Sequence, residues 1–139
     1  MAVEVYWWPP QEFLETGHAS MLVDGGSPAD PMYLSAWPVP RDWMGAVYSK
    51  ALFKSYARDV ADEGGVAPHV VRLTKLNETA IKTAIKEVKG FGHYGLFTMN
   101  CAALTAYCLS KGTSMPPPLS VVTPWTLWGY AQALRPVYG

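Results

Sequence analysis

The chain has 139 residues, enough for a single domain spanning residues 1–139 with a buried core, and its 11 Lys and Arg balance its 11 Asp and Glu. No basic block or stripe occurs, so a nucleic-acid partner is not indicated, because phosphate binding requires clustered positive charge. Charged residues make up only 16% of the chain and apolar residues 50%, a balance that favours an exposed aromatic groove or a partner surface.

No segment predicts membrane insertion or classical secretion. No apolar run approaches the roughly 20 residues that span a bilayer. The N-terminal sequence MAVEVYWWPP has neither a cationic start nor a long apolar stretch, so it does not resemble a secretory signal. We therefore expect the protein to stay in the cytoplasm of the producing cell, or to leave it by a route that needs no cleavable peptide.

The first part of the chain predicts β-strands. The segment VEVYWW alternates, is rich in strand-forming residues and stops at Pro9, so we expect a first strand there. GHASMLVD alternates again before a turn-rich loop, and MYLSAWP resumes the pattern until Pro38 and Pro40 end it. These two segments predict an antiparallel pair joined by a loop. Further along, HVVRL predicts another strand.

Two segments in the middle of the chain have helical character. Residues 41–65 carry Ala, Leu and Lys at helical spacing, and Gly64 with Gly65 would end a helix, although an ordered excursion fits the pattern equally. Asn77 is then the expected N-cap of ETAIKTAIKEVKG, whose apolar residues share one face and which Gly90 would end.

Another helix is predicted to begin near Cys101. Asn100 or Thr98 would cap it, and Leu104, Tyr107 and Cys108 would form its apolar face.

The last predicted helix, TPWTLWGYAQAL, has Thr123 as N-cap and Pro124 at its first position. Strands gathered early and helices gathered late predict an α+β fold. We expect a small antiparallel sheet packed against helices.

The two cysteines differ in their predicted surroundings. Cys101 and Cys108 are about 10 Å apart along a helix, too far for a disulfide, so both should be free thiols. A helix N-terminus lowers a thiol pKa and offers N–H groups that stabilise an oxyanion, and only Cys101 occupies that position. From spacing alone, Cys101 is either a nucleophile or a buried structural cysteine, the usual role of a free cysteine.

A cysteine nucleophile needs a base, and the chain has three histidines. His18 lies early in an alternating strand, His69 follows a proline at the very start of the HVVRL strand, and His93 lies in the loop GFGHYG. A strand holds a side chain more rigidly than a loop does, which favours His18. A surface role is the alternative for each histidine.

Metal and cofactor sites are not indicated. The chain has no CxxC, no HExxH and no close histidine pair, and no glycine-rich phosphate loop follows a strand. Four acidic residues could form pairs, but their spacing is that of solvated surface charges: Glu12, Glu15, Asp59 and Glu63.

The order of a histidine strand, a second strand and then Asn-Cys at a helix start resembles the circularly permuted papain-like cysteine hydrolases. More closely, five segments resemble a bacterial group partly associated with type VI secretion effectors: WWPP, GHASML, YLSAWP, ARDVADEGG and YGLFTMNCAALTAYCLSKG. They extend from residue 7 to residue 112. The resemblance implies a permuted papain-like fold with Cys101 as nucleophile and His18 as its base.

The same resemblance puts the third, orienting group on the strand after the histidine, where this chain has Ser35 in place of His, Asn or an acid. A serine hydroxyl can accept the imidazole N–H but stabilises imidazolium less than a carboxylate does. Asn100 is expected to cap the helix or to polarise the oxyanion site. Aromatic side chains are expected to line the substrate groove: Trp7, Trp8, Tyr33, Trp37 and Trp43.

The expected reaction is acyl transfer through an acyl-enzyme on Cys101. The resemblance implies an amidase or endopeptidase that cleaves peptidoglycan peptides in a neighbouring bacterium, with a cognate immunity protein as partner. One alternative is a lipid acyl hydrolase, an acyltransferase or a protein deamidase on the same fold. The other is a non-catalytic binding module, which would leave Cys101 with an ordinary thiol pKa.

Overall fold

The computed structural model describes residues 2–10, 17–24, 31–39, 48–91, 93–95, 100–117 and 123–139. Within these ranges the strands are β1 (Val3–Trp8), β2 (His18–Val23), β3 (Met32–Leu34), β4 (Ala36–Val39), β5 (Tyr48–Phe53), β6 (His69–Leu73) and β7 (His93–Gly95). The helices are α1 (Tyr56–Asp62), α2 (Glu78–Phe91), α3 (Cys101–Ser110) and α4 (Pro124–Tyr138). The predicted α+β class is confirmed. Glu12, Glu15, Trp43 and Thr98 lie outside the described residues.

The larger sheet has the strand order β3-β2-β1-β6, and all its neighbours are antiparallel. The strands predicted at VEVYWW, GHASMLVD and HVVRL are confirmed, and β2 pairs with β3 as expected. Because successive side chains of a strand point to opposite faces, Val5 and Met21 belong to one face, and Trp8 and its partner His18 belong to the other. The two faces therefore have different roles.

Helices α2, α3 and α4 share one apolar core with the Val5 face of this sheet. The core includes Ile85 of α2, Leu109 of α3 and Leu127 of α4, each fully buried. Burial of such side chains contributes about 1.5–3 kcal/mol each and is the main force holding the helices in place. The core thereby fixes the N-terminus of α3 beside β2.

The predicted apolar face of α3 is only partly right. Leu104 and Cys108 are buried, but Tyr107 is 42% exposed. Its ring lies at the surface, 4.9 Å from the Lys111 ammonium. The buried face of α3 is completed by small residues such as Ala102 and Ala106.

The segment MYLSAWP does not form one strand. It divides at Ser35 into β3 and β4, which belong to different sheets, since β4 joins β5 and β7 in a second, three-stranded sheet. The Ser35 carbonyl accepts the Lys54 backbone N–H at 3.1 Å, a bond that fixes the crossover. The expectation that Pro38 ends the strand is also wrong: Pro38 lies within β4, an edge strand, where a missing N–H is tolerated.

The segment 41–65 contains a strand and a helix rather than one helix. Strand β5 precedes α1, which begins after Ser55, whose hydroxyl accepts the Arg58 N–H. Gly64 and Gly65 end the helix as expected, with φ values of +77° and +79°. Residues 41–47 lie outside the described residues.

The predicted N-caps of the other helices are confirmed. The side chains of Asn77, Asn100 and Thr123 accept backbone N–H groups from the first turns of α2, α3 and α4. Helix α2 continues one residue past Gly90. In the described part of the chain, no helix combines the length and apolarity needed to cross a membrane.

Candidate active site

The Cys101 thiol occupies the N-terminus of a capped and packed helix. Cys101 is the first residue of α3 and is 8% exposed, and the N-cap Asn100 accepts the Ala103 N–H at 2.8 Å. The sulfur also accepts backbone N–H groups from Ala102, within the helix, and from Ala19 in β2. Both donors favour the thiolate, as expected for a sulfur at a helix N-terminus.

His18 is the first residue of β2 and is only 2% exposed. The preceding Gly17 has a φ of +79°, and a Cβ atom there would lie 2.3 Å from the Trp8 carbonyl oxygen. A residue with a side chain would be strained and would collide with the backbone at this point. Gly17 therefore permits the close approach of backbones that positions His18.

Two indole rings fix the plane of the His18 imidazole. Trp37 stacks on it with a centroid separation of 4.1 Å and an interplanar angle of 24°, and Trp8 lies at 5.7 Å and 26°. Trp8 is itself held by a 2.8 Å hydrogen bond from Nε1 to the Val66 carbonyl oxygen. The buried Lys54 ammonium lies 4.1 Å from the centroid of Trp37.

The two nitrogens of His18 have different partners. Nε2 lies 2.9 Å from Ser35 Oγ and 3.4 Å from Asp59 Oδ2. Nδ1 is then the nitrogen left for the hydrogen bond between His18 and the Cys101 thiol. The side chains therefore connect in the order thiol, imidazole and carboxylate, the arrangement that supports a cysteine nucleophile.

The predicted surroundings of Asp59 were wrong. It was expected to be a solvated surface charge, but it is 0% exposed. Tyr33 OH donates to its Oδ2 at 2.5 Å and Trp37 Nε1 donates to its Oδ1 at 3.0 Å, so both oxygens are engaged. Ser20 in turn donates to Tyr33 OH at 2.6 Å. A buried carboxylate requires such partners to stay ionised.

Ser35 lies where the resemblance placed the orienting group, and it bridges His18 to Asp59. Its Oγ can accept from His18 Nε2 and from Trp37 Nε1, which lies 3.0 Å away, while its O–H donates to Asp59. These contacts use the one donor and two acceptor positions of a hydroxyl. The negative charge, however, belongs to Asp59.

The pKa values of the site favour a thiolate–imidazolium pair. Burial lowers the pKa of His18, but hydrogen bonds to Asp59 and Cys101 outweigh it and raise that pKa to about 9. Burial raises the pKa of the Cys101 thiol, but the hydrogen bond and charge of His18 bring it below its usual value. Burial likewise raises the pKa of Asp59, and the hydrogen bond and charge of His18 bring it below its usual range.

Cys108 has the opposite character. It is fully buried in the middle of α3, and burial raises the pKa of its thiol to about 12. Both cysteines are free, as predicted. The same helix therefore carries one thiol with a lowered pKa and one with a raised pKa.

The aromatic residues expected to line one groove do not lie together. Trp8, Tyr33 and Trp37 support His18 and Asp59 directly. Trp7 lies on the other face of β1, with its ring 5.1 Å from that of Trp125. His69 also lies away from His18, in contact with Trp7, and the side chain of His93 lies outside the described residues.

The sequence contains only a partial signal for Asp59. In YARDVADEGG, Tyr56, Asp59 and Val60 follow the spacing of one helix face, so an acid sits among apolar neighbours. An acidic residue needs partners only if that face is buried, and Tyr56 on the same face is 40% exposed, so burial of Asp59 does not follow from the spacing.

Within the described ranges, no group of three or more His, Cys, Asp or Glu side chains is arranged to hold a metal ion. No protein-family model matches the chain, and comparisons with curated proteins and with solved structures found no similar protein.

Proposed function

We propose that the protein is a cysteine hydrolase of permuted papain-like type that cleaves an amide bond through an acyl-enzyme on Cys101. The observation that carries the proposal is the buried His18 imidazole, which contacts the Cys101 thiol on one side and lies 3.4 Å from the Asp59 carboxylate on the other. A structural cysteine needs none of these partners, whereas a nucleophile needs them all.

In the first half of the reaction, the Cys101 thiolate attacks the substrate carbonyl carbon and forms a carbon–sulfur bond. Negative charge moves to the carbonyl oxygen, where backbone N–H groups of the first turn of α3 can stabilise it. The His18 imidazolium then gives its proton to the leaving nitrogen as the carbon–nitrogen bond breaks. An amine departs, and a thioester on Cys101 remains.

In the second half, neutral His18 takes a proton from a water molecule that attacks the thioester. The carbon–sulfur bond breaks, a carboxylic acid product leaves, and Cys101 returns to the thiolate with His18 protonated. Asp59 stays ionised throughout, because its function is to orient the imidazole and to stabilise its positive charge.

The substrate class follows from the resemblance rather than from the geometry. We propose that the bond is a peptide bond of peptidoglycan, that the protein is an antibacterial effector, and that a cognate immunity protein blocks it. Incubation of the protein with purified sacculi should release new amino groups. Release of fatty acid from labelled phospholipid vesicles, with no release from sacculi, would instead support the lipid hydrolase.

The reaction class can be tested without a substrate. The rate of iodoacetamide alkylation at Cys101 should follow an apparent pKa well below the unperturbed ~8.5, and His18→Ala should shift that pKa upward. Cys108 is the internal control and should react far more slowly at every pH. Equal labelling of the two thiols, unchanged in His18→Ala, would favour the non-catalytic binding module.

A further inference from the structure

Four aromatic side chains form a cluster on the face of β1 opposite His18. We call it the aromatic platform and define it by its members: Trp7, His69, Trp125 and Trp128. The Trp7 ring lies 5.3 Å from His69, 5.1 Å from Trp125 and 5.6 Å from Trp128, measured between centroids. His69 and Trp128 complete the cluster at 6.0 Å. Rings at these distances are in contact and form a continuous aromatic surface.

The platform adjoins the nucleophile through the pairing of strands. Trp7 in β1 lies directly opposite Ala19 in β2, and the Ala19 N–H donates to the Cys101 sulfur. His69 in β6 lies opposite Trp7 on its other side. Neighbouring strands are about 4.8 Å apart, so the platform begins one strand away from the backbone that contacts the thiol.

Part of the platform faces solvent. Trp125 is 65% exposed, more than any other large apolar residue in the described part of the chain. His69 is also exposed, and Trp7 and Trp128 are half-buried. An exposed cluster of large aromatic side chains beside a reactive group is typical of a ligand-binding surface.

The platform also contains an unsatisfied donor. Trp7 Nε1 is buried, and it has no hydrogen-bond partner among the residues that the structure describes. A buried N–H group without an acceptor is unfavourable, and native proteins rarely keep one. A ligand oxygen would satisfy it once the groups that cover this atom move aside.

We propose that the aromatic platform binds the pyranose ring of an uncharged amino sugar that carries the peptide to be cleaved. The proposal rests on the proposed function, because it places the sugar of a peptidoglycan-like substrate one strand away from Cys101. The apolar C–H face of a pyranose stacks on indole rings, and a hydroxyl or acetamido oxygen accepts the Trp7 N–H. An alkyl chain would cover the rings but would leave that N–H unpaired.

The charge of the platform agrees with this ligand. None of its four side chains is a Lys, Arg, Asp or Glu, so the surface offers stacking and N–H donation without a fixed counter-charge. A headgroup phosphate would find no Lys or Arg among these four side chains. The platform is therefore matched to a neutral ring with oxygen acceptors.

The test is a titration of ¹⁵N-labelled Cys101→Ala with the trimer of β-1,4-linked N-acetylglucosamine, followed through the indole N–H resonances of the six tryptophans. Trp7→Phe identifies the resonance of Trp7. We expect that resonance to shift in a saturable way as its N–H gains an acceptor. Trp125→Ala, which removes a 65% exposed ring, should weaken binding at least about tenfold.

Tyr107→Ala is the control variant, since it removes a 42% exposed aromatic ring outside the platform, and it should bind the trimer within about twofold of the parent. No saturable shift at Trp7, or full affinity in Trp125→Ala, would overturn the proposal. So would a Trp7 shift produced by phosphatidylcholine vesicles but not by the trimer.

The titration is independent of catalysis because the variant lacks the thiol. A wild-type protein that digests sacculi, with a Cys101→Ala variant that ignores the trimer, refutes the sugar site and leaves the hydrolase proposal intact. Saturable binding at Trp7 without any hydrolysis supports the sugar site and refutes only the proposed reaction.

Discussion

Oδ2 of Asp59 lies 3.4 Å from Nε2 of His18, although the two residues belong to α1 and β2 and are 41 positions apart in the chain. Both side chains are buried, so water screens their attraction little. In the proposed reaction the carboxylate stabilises the positive imidazole that forms when His18 takes the Cys101 proton. Through this pair, the position of α1 affects the environment of the Cys101 thiol.

Asp59→Asn should slow hydrolysis about 10²–10⁴-fold, because the amide keeps the shape of the side chain but removes the charge that orients and stabilises imidazolium. The apparent pKa of Cys101 alkylation should rise toward the ordinary ~8.5 in the same variant. Asp62→Asn is the control, since this carboxylate on the same helix binds Lys54 and Arg58. Equal losses in both variants would contradict a specific role for Asp59.

Ser35→Ala tests whether Ser35 or Asp59 is the group that orients the His18 imidazole. It removes one contact of His18 Nε2 but leaves Asp59 in place, so we expect a loss of only about tenfold in kcat/KM, close to one neutral hydrogen bond. The measurement is the same hydrolysis assay. A larger loss in Ser35→Ala than in Asp59→Asn would make the serine the orienting residue.

Hydrolysis should have a bell-shaped dependence on pH. The acid limb reports Cys101, whose pKa is lowered mainly by the hydrogen bond and charge of His18, so activity falls when protonation of the thiolate removes the nucleophile. The alkaline limb should lie near pH 9, because His18, with a pKa raised to about 9, loses the proton that the leaving amine needs. Initial rates across this range test both limbs.

Alkylation should show only the acid limb, because iodoacetamide needs the thiolate and not the imidazolium proton. If alkylation also slowed at alkaline pH, deprotonation of His18 would have to hinder the approach of iodoacetamide to the thiol, and the alkaline limb of hydrolysis would not report His18 as an acid. An acid limb at the pKa of an ordinary thiol would contradict the ion pair.

Tyr33→Phe should destabilise the protein and reduce its activity. It removes the O–H that donates to Asp59 Oδ2 at 2.5 Å, leaving a buried carboxylate oxygen without that partner, at a cost of about 1–3 kcal/mol in the free energy of unfolding. The pKa of Asp59 should rise, because the Tyr33 hydrogen bond helps to keep it low. Urea denaturation and kcat/KM are the measurements.

Tyr6→Phe is the matched control for Tyr33→Phe. Tyr6 OH also donates to a carboxylate at 2.5 Å, but its partner is the half-buried Glu4, which does not contact His18. Activity should stay within about twofold of the parent, as for most changes away from a functional site. A similar loss of activity in both variants would contradict the role assigned to Tyr33.

Substitutions at Asn100 should separate helix capping from thiol activation. Asn100→Ser keeps the cap and should change little, whereas Asn100→Ala should cost about 0.5–2 kcal/mol of stability. Asn100→Asp should keep the stability but raise the pKa of Cys101, because a negative charge beside the sulfur opposes the thiolate. Thermal unfolding and the pH profile of alkylation measure the two effects.

Thr123→Ala is the control, because it removes the N-cap of α4 and leaves α3 intact. It should lower stability as much as Asn100→Ala does while leaving alkylation of Cys101 unchanged. A lower apparent pKa of alkylation in Asn100→Asp than in the parent would contradict a thiolate beside residue 100.

Most local features were predictable. The N-caps at Asn77, Asn100 and Thr123, the alternating strands, and a free thiol at the start of α3 depend on residues within a few positions of each other, and they were all found. The split of MYLSAWP at Ser35 was not predictable in the same way. At the split the Ser35 carbonyl accepts the Lys54 N–H, a contact between residues 19 positions apart that no local pattern contains.

The sequence by itself determined that Cys101 stands at a capped helix N-terminus and His18 on a strand, because capping and alternation are properties of neighbouring residues. Only the tertiary structure decided that Asp59 is buried against His18. It also decided that Trp7 belongs with Trp125 rather than with His18. Burial and long-range pairing arise only when distant elements pack together. The spacing of a carboxylate in the sequence is the same whether water or a histidine becomes its partner, so the spacing does not reveal which one it is.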